Sequence, residues 1–368
     1  MGVGETSHTA AMEIDDLDEV CRLFLRVFRN SDAAPSADLI AYWRSLYFGA
    51  PAYSPRNGCV VHRDSTGRID AAVASFPMEI VACGRILPGR LVAAFMAEGS
   101  EEEPHPGGRI GMNFRARTQD FTFSDTAIPI TADMSRAGGG VVLIPQSLEW
   151  LCVFRPLGHV AAALTRRLPH LERIALTRLV VPFDALLTRI LRRRPPSAGA
   201  LAERSATRAE FLAVAPEMVA HYAVHPRWSP EELGWILDRA AENRQYGPLD
   251  LLVYVDRHGE IVGAFAGYVE PDQPAVVLNI LARPGREAEV VPAVLAGLAA
   301  RRCISARGMC LPRQIEEFFR IPRVVFRHRA HAHVLTKHAD VREALARGDA
   351  YMGGLAGESW SRLVTDRF

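Results

Sequence analysis

Two neighbouring segments indicate the fold of this chain. They are the stretch Leu91-Val-Ala-Ala-Phe-Met-Ala97 and the loop His105-Pro-Gly-Gly-Arg-Ile-Gly111. The first segment is short, apolar and bounded by turn formers, a pattern typical of a buried central strand. The loop is rich in turn-forming residues and leads into a short helix. Residues 121–124 are expected to form the next strand, and a helix is expected from about Thr126 to a stop at Gly138. This order of strand, loop, helix, strand and helix indicates a mixed α/β core.

Amphipathic helices and short strands precede this unit. Residues 13–29 and 36–48 have apolar side chains at helical spacing, which predicts two helices. Strands are expected at 59–63 and at 69–82, with a turn after the second. The first half of the chain therefore begins with helices and continues with a run of strands.

The same order recurs further along the chain. Ser229-Pro-Glu-Glu232 has the spacing of a capping box and opens a predicted helix. Strands are expected at 249–255 and 261–269, followed by a buried strand at 275–282, a turn and another helix. This repeat predicts tandem copies of one fold of class α/β (α+β), each with a mixed, mostly antiparallel central sheet flanked by helices.

The size and composition of the chain suit two globular domains. It has 368 residues, 49% of them hydrophobic, and its formal net charge of +1 indicates no general nucleic-acid field. A basic, mostly helical stretch at 159–194 runs into a proline-rich hinge at 192–200. The predicted division is 1–158 for the first domain, 159–200 for a helical basic connector and 201–368 for the second domain.

Several features bear on the cellular compartment. Six cysteines are scattered without a CxxC pair, which favours reduced core residues over disulfides or zinc. The N-terminus lacks the basic and apolar regions of a signal peptide, and no apolar run reaches about 18 residues. His331 and His333 alternate along one face of a predicted strand, but no third ligand accompanies them. We expect a cytoplasmic protein without a metal or a membrane span.

The order of elements and several short motifs resemble the GNAT acyltransferase superfamily. Beside the strand and loop quoted above, the matching pieces are Gln119-Asp-Phe-Thr-Phe-Ser-Asp-Thr-Ala127, the helix end at Gly138-Gly139, Ser147-Leu-Glu-Trp150 and Phe154-Arg-Pro156. This string is similar to that of tandem GNAT-like proteins of bacteria. The resemblance covers most of the chain and implies two GNAT-like domains.

In that superfamily the strand-loop-helix unit binds acyl-CoA, so the resemblance implies acetyl-CoA or another acyl-CoA as co-substrate. Glycines let backbone amides approach a pyrophosphate, and a helix N-terminus favours its negative charge. The loop departs from the family pattern Gln/Arg-x-x-Gly-x-Gly/Ala, because Pro106 stands at its first position and Arg109 at its central glycine. The residues expected to contact the co-substrate are His105, Gly107, Gly108, Arg109, Ile110 and Gly111.

The corresponding loop of the second half has a different character. It is Arg283-Pro-Gly-Arg-Glu-Ala-Glu289, with one glycine and two acids. Glu287 and Glu289 would repel a pyrophosphate, so no CoA is expected there. We expect this half to shape the substrate cavity or the domain interface.

GNAT transfer is a direct attack of an amine on a thioester, which needs a base for the ammonium proton and an acid for the thiolate. Glu98, directly after the central strand, and Asp125, at the end of the next strand, are the candidate bases. Asp125 also fits the N-cap of the helix that follows. Met134 stands where the family usually has its acidic tyrosine, so Ser124 or water is expected to supply that proton.

The resemblance implies an acyl-CoA-dependent N-acyltransferase that acts on a small amine or amino-acid-like acceptor. Two alternatives remain open. A Fem-type transferase would use aminoacyl-tRNA, held by the basic stretch at 159–194. A catalytically degenerate GNAT pair would act as a ligand-binding module. The expected partners are small-molecule substrates, with tRNA only in the first alternative, no membrane, and a homodimer as one assembly.

Overall fold

The computed structural model describes residues 8–99, 105–115, 117–167, 179–190, 199–322 and 324–365. Two mixed, mostly antiparallel sheets form the framework, one of eight strands and one of seven, with helices packed on their faces. The predicted fold class is therefore confirmed. Most of the predicted hinge at 192–200, including Arg192 to Arg194, lies outside the described residues.

The described strands follow the chain order. They are β1 His8–Ala11, β2 Val60–Arg63, β3 Ile69–Ala82, β4 Arg85–Ala97, β5 Phe121–Ala127, β6 Val141–Val142, β7 Leu148–Val153, β8 Ala202–Ser205, β9 Val224–Pro226, β10 Leu249–Val255, β11 Ile261–Tyr268, β12 Ala275–Ala282, β13 Ser305–Met309, β14 Val324–His328 and β15 His331–Thr336.

The α-helices flank these strands. They are α1 Leu17–Arg29, α2 Ala37–Trp43, α3 Pro106–Arg115, α4 Pro129–Ala137, α5 Pro156–Arg167, α6 Val181–Ile190, α7 Arg208–Val219, α8 Pro230–Ala241, α9 Glu287–Ala300, α10 Ile315–Arg320, α11 Ala339–Ala346 and α12 Arg362–Thr365.

The structure differs from the sequence prediction around Asp125. Strand β5 runs on to Ala127, so Asp125 lies inside a strand and not at a helix cap. Helix α4 begins at Pro129 with Ile128 as its N-cap, because proline is tolerated at the first helical position.

The two halves exchange their last strands. The first sheet has the order β1-β2-β3-β4-β5-β15-β6, with β9 on β3, and the second has the order β14-β7-β13-β12-β11-β10-β8. Strand β15 thus lies between two strands of the first half, and β7 lies between two strands of the second. The buried Glu149 of β7 accepts hydrogen bonds there from Arg307 at 2.9 Å and Arg327 at 2.5 Å. The boundaries 1–158, 159–200 and 201–368 stay a prediction, and each sheet takes strands from both sides of them.

Two neighbouring strands separate in the middle of the first sheet. Strands β4 and β5 run parallel and pair at three positions only, the last being Leu91 with Phe123. Beyond that pair β4 continues to Ala97 on β3, and β5 continues to Ala127 on β15. The carboxyl ends of β4 and β5 therefore diverge.

The second sheet has a similar divergence, but the chain itself fills it. The parallel ladder of β12 and β13 ends at Val277 and Gly308. Beyond it, Asn279 accepts a hydrogen bond from the Leu355 amide at 2.7 Å, and Gly354 packs against the backbone of β12. The remaining cavity has a volume of about 10 Å³, about the space of one water. The C-terminal segment thus occupies the gap of the second half.

One apolar core joins the two sheets. Buried side chains of both halves, such as Phe123 and Leu278, belong to it. Trp360 is 1% exposed and its ring lies 5.7 Å from Phe76 and 5.5 Å from Trp235, so this tryptophan packs the C-terminal segment into the core. Among the described residues, no helix has the length and apolarity needed to cross a bilayer.

Candidate active site

Helix α3 begins beside the end of β4, where the sequence predicts the acyl-CoA loop. A Cβ on Gly107 would lie 3.2 Å from the Ala97 side chain, and a Cβ on Gly111 would lie 3.7 Å from the Phe95 ring. These two glycines therefore let the helix approach the strand closely. A Cβ on Gly108, in contrast, would meet no atom within 4 Å. Of the three glycines, Gly108 is the one that faces open space.

The other predicted contact residues of this loop have different environments. His105 is exposed and its carbonyl accepts the Arg109 amide at 3.4 Å. Ile110 is fully buried and packs with Val60 and Val73. Its side chain therefore belongs to the core, and only its backbone is available to a ligand. Residues 100–104, which lead into the loop, lie outside the described residues.

Glu98 is tied to two arginines. Its carboxylate accepts hydrogen bonds from Arg26 at 2.9 Å and from Arg68 at 3.1 Å, and its own amide donates to the Asp70 carbonyl at 2.8 Å. The site forms part of a surface crevice of about 500 Å³ that Glu19 and Arg22 also line. The two arginines therefore occupy the hydrogen-bonding positions of the Glu98 carboxylate.

Asp125 forms a buried acidic pair with Glu358, a residue of the C-terminal segment. Asp125 is 1% exposed and accepts the Glu358 amide at 3.2 Å and the Ser359 hydroxyl at 3.5 Å. Glu358 is 3% exposed and accepts a hydrogen bond from the Thr126 hydroxyl. Arg329 donates to the Ser359 hydroxyl at 3.1 Å and supplies positive charge to both carboxyls.

The environment of this pair favours protonated carboxyls. Burial raises the pKa of Asp125, and Arg329 and hydrogen bonds only partly oppose it. Burial and the charge of Asp125 raise the pKa of Glu358 well above its usual range. Two nearby buried carboxyls resist double ionisation, so the pair can hold and release a proton as one unit.

Ser124 lies on β5 opposite His333 of β15, and both are buried. Among the described residues neither ring nitrogen of His333 has a hydrogen-bond partner. Burial lowers the pKa of His333 to about 4, so its imidazole is neutral at physiological pH. The register shifts between these strands, so that His331 pairs with Ala127 and His333 with Ser124, and the extra residue lies on β5. That the two histidines share one face of β15 stays a prediction.

The predicted catalytic residues fall into two groups. Asp125 and Ser124 lie next to each other on β5, whereas Glu98 is held by α1 on the far side of the diverging strands. Sequence reasoning missed Glu358 and His333 as neighbours of Asp125 and Ser124, because more than 200 residues separate each pair along the chain. The segment around Glu358 contains a Gly-x-Ser pattern, but this resemblance to a catalytic motif is superficial. It does not indicate the contact with Asp125.

Comparisons with solved structures agree with this architecture. A conserved protein of unknown function from Enterococcus faecalis V583 aligns over 90% of this chain and 72% of its own, with a TM-score of 0.57 and 9% identity. A GCN5-related N-acetyltransferase from Kribbella flavida aligns over 90% and 71%, with a TM-score of 0.53 and 12% identity. One from Anabaena variabilis aligns over 89% and 72%, with a TM-score of 0.55 and 10% identity. The chain therefore has the fold of GCN5-related N-acetyltransferases.

Sequence comparisons add nothing to this result. No family model matches the sequence, and no curated protein matches it.

Proposed function

We propose that the chain is an acyl-CoA-dependent N-acyltransferase that works in the cytoplasm on a small amine or amino-acid-like acceptor. The observation that carries the proposal is the divergence of β4 and β5 after Leu91 and Phe123, with Asp125 of the buried acidic pair on the part of β5 that no longer pairs with β4. Separated strands leave backbone groups and space for the arm of an acyl-CoA, and the acidic pair supplies a proton acceptor beside them.

The start of α3 is the proposed position of the co-substrate's phosphates. Backbone amides in the first turn of a helix have no intrahelical partner and favour negative charge. Gly108 has no side chain and faces open space, so a phosphate can approach the backbone there. The described residues of the second half offer no comparable site, since its gap is filled and the first turn of α9 carries Glu287 and Glu289.

In the proposed reaction Asp125, as the ionised member of the pair, accepts a proton from the acceptor's ammonium group. The amine nitrogen then attacks the thioester carbonyl carbon, the C–S bond breaks, and CoA leaves as a thiolate. Met134 lies 3.9 Å from the Cβ position of Gly111 and has no acidic proton. The nitrogen loses a second proton as the amide forms, and Ser124 or water therefore relays this proton to the thiolate.

The test is a titration with acetyl-CoA followed by release of free thiol with a panel of amines. Asp125→Asn is expected to keep acetyl-CoA binding and to slow thiol release about 100-fold, the usual scale for loss of a general base. Glu98→Gln is the matched control and is expected to keep most of the rate. No binding of acetyl-CoA, longer acyl-CoAs or free CoA to the wild-type protein would reject the proposal.

A ligand-binding module is the second candidate. The packing of Gly107 and Gly111 against β4 explains these glycines without a phosphate, and Met134 replaces the usual acid. Saturable acetyl-CoA binding without turnover of any amine would favour this candidate. The Fem-type alternative depends on the basic stretch at 159–194, and retention of charged tRNA on a filter at low salt tests it.

A further inference from the structure

A small cavity with aromatic walls lies between the two halves. Its volume is about 30 Å³, and one water needs about 10–15 Å³ by the same measure. The space therefore suits a group of about two heavy atoms. Pro51 and Ala52 are exposed and line the cavity, so it opens to solvent on their side.

Four aromatic side chains line the cavity. Phe76, Trp235 and Trp360 contact one another, with ring centroids 5.5 to 5.7 Å apart, and Trp228 lines the cavity as well. Phe76, Trp228 and Trp360 are at most 6% exposed. The faces of aromatic rings carry negative potential and attract cations, most strongly where water is excluded.

The cavity holds a single charged side chain, the carboxylate of Glu232, and no basic residue appears among the described residues that line it. The Glu232 amide donates to the Ser229 hydroxyl at 3.0 Å, as the predicted cap requires, but the described residues lack the second bond of a capping box, from the Ser229 amide to the Glu232 side chain. The Glu232 side chain makes no hydrogen bond or ion pair with any part of the chain that the structure describes. Glu79 is the one charged group recorded close to it, and Glu79 is paired with Arg227 at 2.7 Å.

We propose that this cavity binds the ammonium group of a small aliphatic amine, held by the four aromatic rings and by the carboxylate of Glu232. A half-buried carboxylate without a cation is costly, and an organic ammonium ion supplies the missing charge and hydrogen-bond donors. Burial accordingly raises the pKa of Glu232 to about 7 in the free protein. A bound cation is expected to lower that pKa.

The position of the cavity links it to the acidic pair. Leu91 lines the cavity and is the last residue of β4 that pairs with β5. Gly357 lines it as well, and a Cβ on Gly357 would collide with the Asp125 carboxylate. The cavity and Asp125 are thus separated by one residue without a side chain. This inference rests on the proposed function. It identifies the cavity as the binding site of the acceptor and the acceptor as an aliphatic amine.

The experiment is a tryptophan-fluorescence titration of the full chain with methylammonium chloride at constant ionic strength, without any acyl-CoA. We expect a saturable change with methylammonium and none with methanol, its neutral counterpart. Glu232→Gln is expected to weaken binding about tenfold or more, since a charge-assisted contact is lost. Glu231→Gln, an exposed neighbour on the same helix, is the matched control and is expected to bind like the wild type.

A second pair of variants tests the rings independently. Trp235→Phe keeps an aromatic face and is expected to retain binding, whereas Trp235→Leu is expected to weaken it about fivefold. Equal saturation by methanol, or an unchanged dissociation constant in Glu232→Gln, would overturn the inference. Methylammonium binding in a protein that binds no acyl-CoA would reject the proposed function and leave the cavity assignment intact. Thiol release with amines but no methylammonium binding would reject the cavity assignment and leave the proposed function intact.

Discussion

Gly357 lies against the carboxylate of Asp125 so closely that no side chain fits at position 357. The two residues are far apart along the chain, one on β5 of the first sheet and one in the C-terminal segment. This contact places the Glu358 amide within hydrogen-bonding distance of Asp125 and so positions the acidic pair. The glycine is therefore a structural condition of the candidate site.

We expect Gly357→Ala to lower stability by about 1–3 kcal/mol, the usual cost of overpacking a buried site. Chemical denaturation at neutral pH measures it. The control is Gly108→Ala, whose methyl group meets open space and whose position is helical, so stability is expected to be unchanged or slightly higher. In an Asp125→Ala background the cost of Gly357→Ala should shrink, because the colliding carboxylate is gone. Equal costs in both backgrounds would contradict the contact.

A negative charge at Gly108 should separate folding from co-substrate binding. Gly108→Asp places an acid in the first turn of α3, which favours the helix, but it repels a phosphate at the same position. We expect an unchanged or raised melting temperature together with a loss of acetyl-CoA affinity of about tenfold or more. The readout is the thermal shift with and without acetyl-CoA, with Gly108→Ala as the control. Undiminished protection in Gly108→Asp would place the phosphates elsewhere.

The acidic pair makes stability fall as pH rises. The folded-state pKa values of Asp125 and Glu358 lie above their unfolded values of about 4. Their contribution is therefore fully present below about pH 4 and is lost as pH rises through the folded-state values. Glu358→Gln keeps an oxygen acceptor for Thr126 and removes this titration. We expect the stability of the variant relative to the wild type to rise as pH increases above about pH 4. Denaturation curves across that range measure the difference, and a constant gap would count against it.

The exchanged strands predict that neither half folds alone. A fragment 1–158 lacks β15, so the edge of β5 stays open, and a fragment 201–368 lacks β7 between β13 and β14. Unpaired strand edges bind other chains, so each fragment is expected to aggregate when expressed by itself. Co-expression of both fragments is expected to restore a soluble pair, which size-exclusion chromatography detects. A monomeric, cooperatively folded fragment 1–158 would show that β15 is dispensable.

Local pattern sufficed for most elements of the fold. Several features can be recognised from sequence because the residues that cause them lie close together along the chain. They are the apolar run at 91–97, the turn formers before α3 and the cap at Ser229. The repeat of elements led to the tandem arrangement for the same reason. The position of Asp125 is harder to predict from sequence. The same local sequence suits a strand residue and a helix cap, and the pairing of β5 with β15 decides between them.

The candidate site is less accessible to such reasoning. The Asp125–Glu358 pair and the pairing of Ser124 with His333 join residues from opposite ends of the chain. Glu232 looked like an ordinary member of a capping box, and only the rings around it give its carboxylate another role. Long-range packing creates these neighbours, and no spacing along one sequence records it.

The reciprocal positions of β7 and β15 also bear on biosynthesis and origin. During translation β5 lacks its partner strand β15 until nearly the whole polypeptide has left the ribosome. The site beside β5 can therefore form only afterwards. Two identical subunits that traded terminal segments, later fused head to tail through gene duplication, would produce this topology directly. The C-terminal segment of the second copy then lies in the gap of its own sheet and against Asp125 of the other sheet.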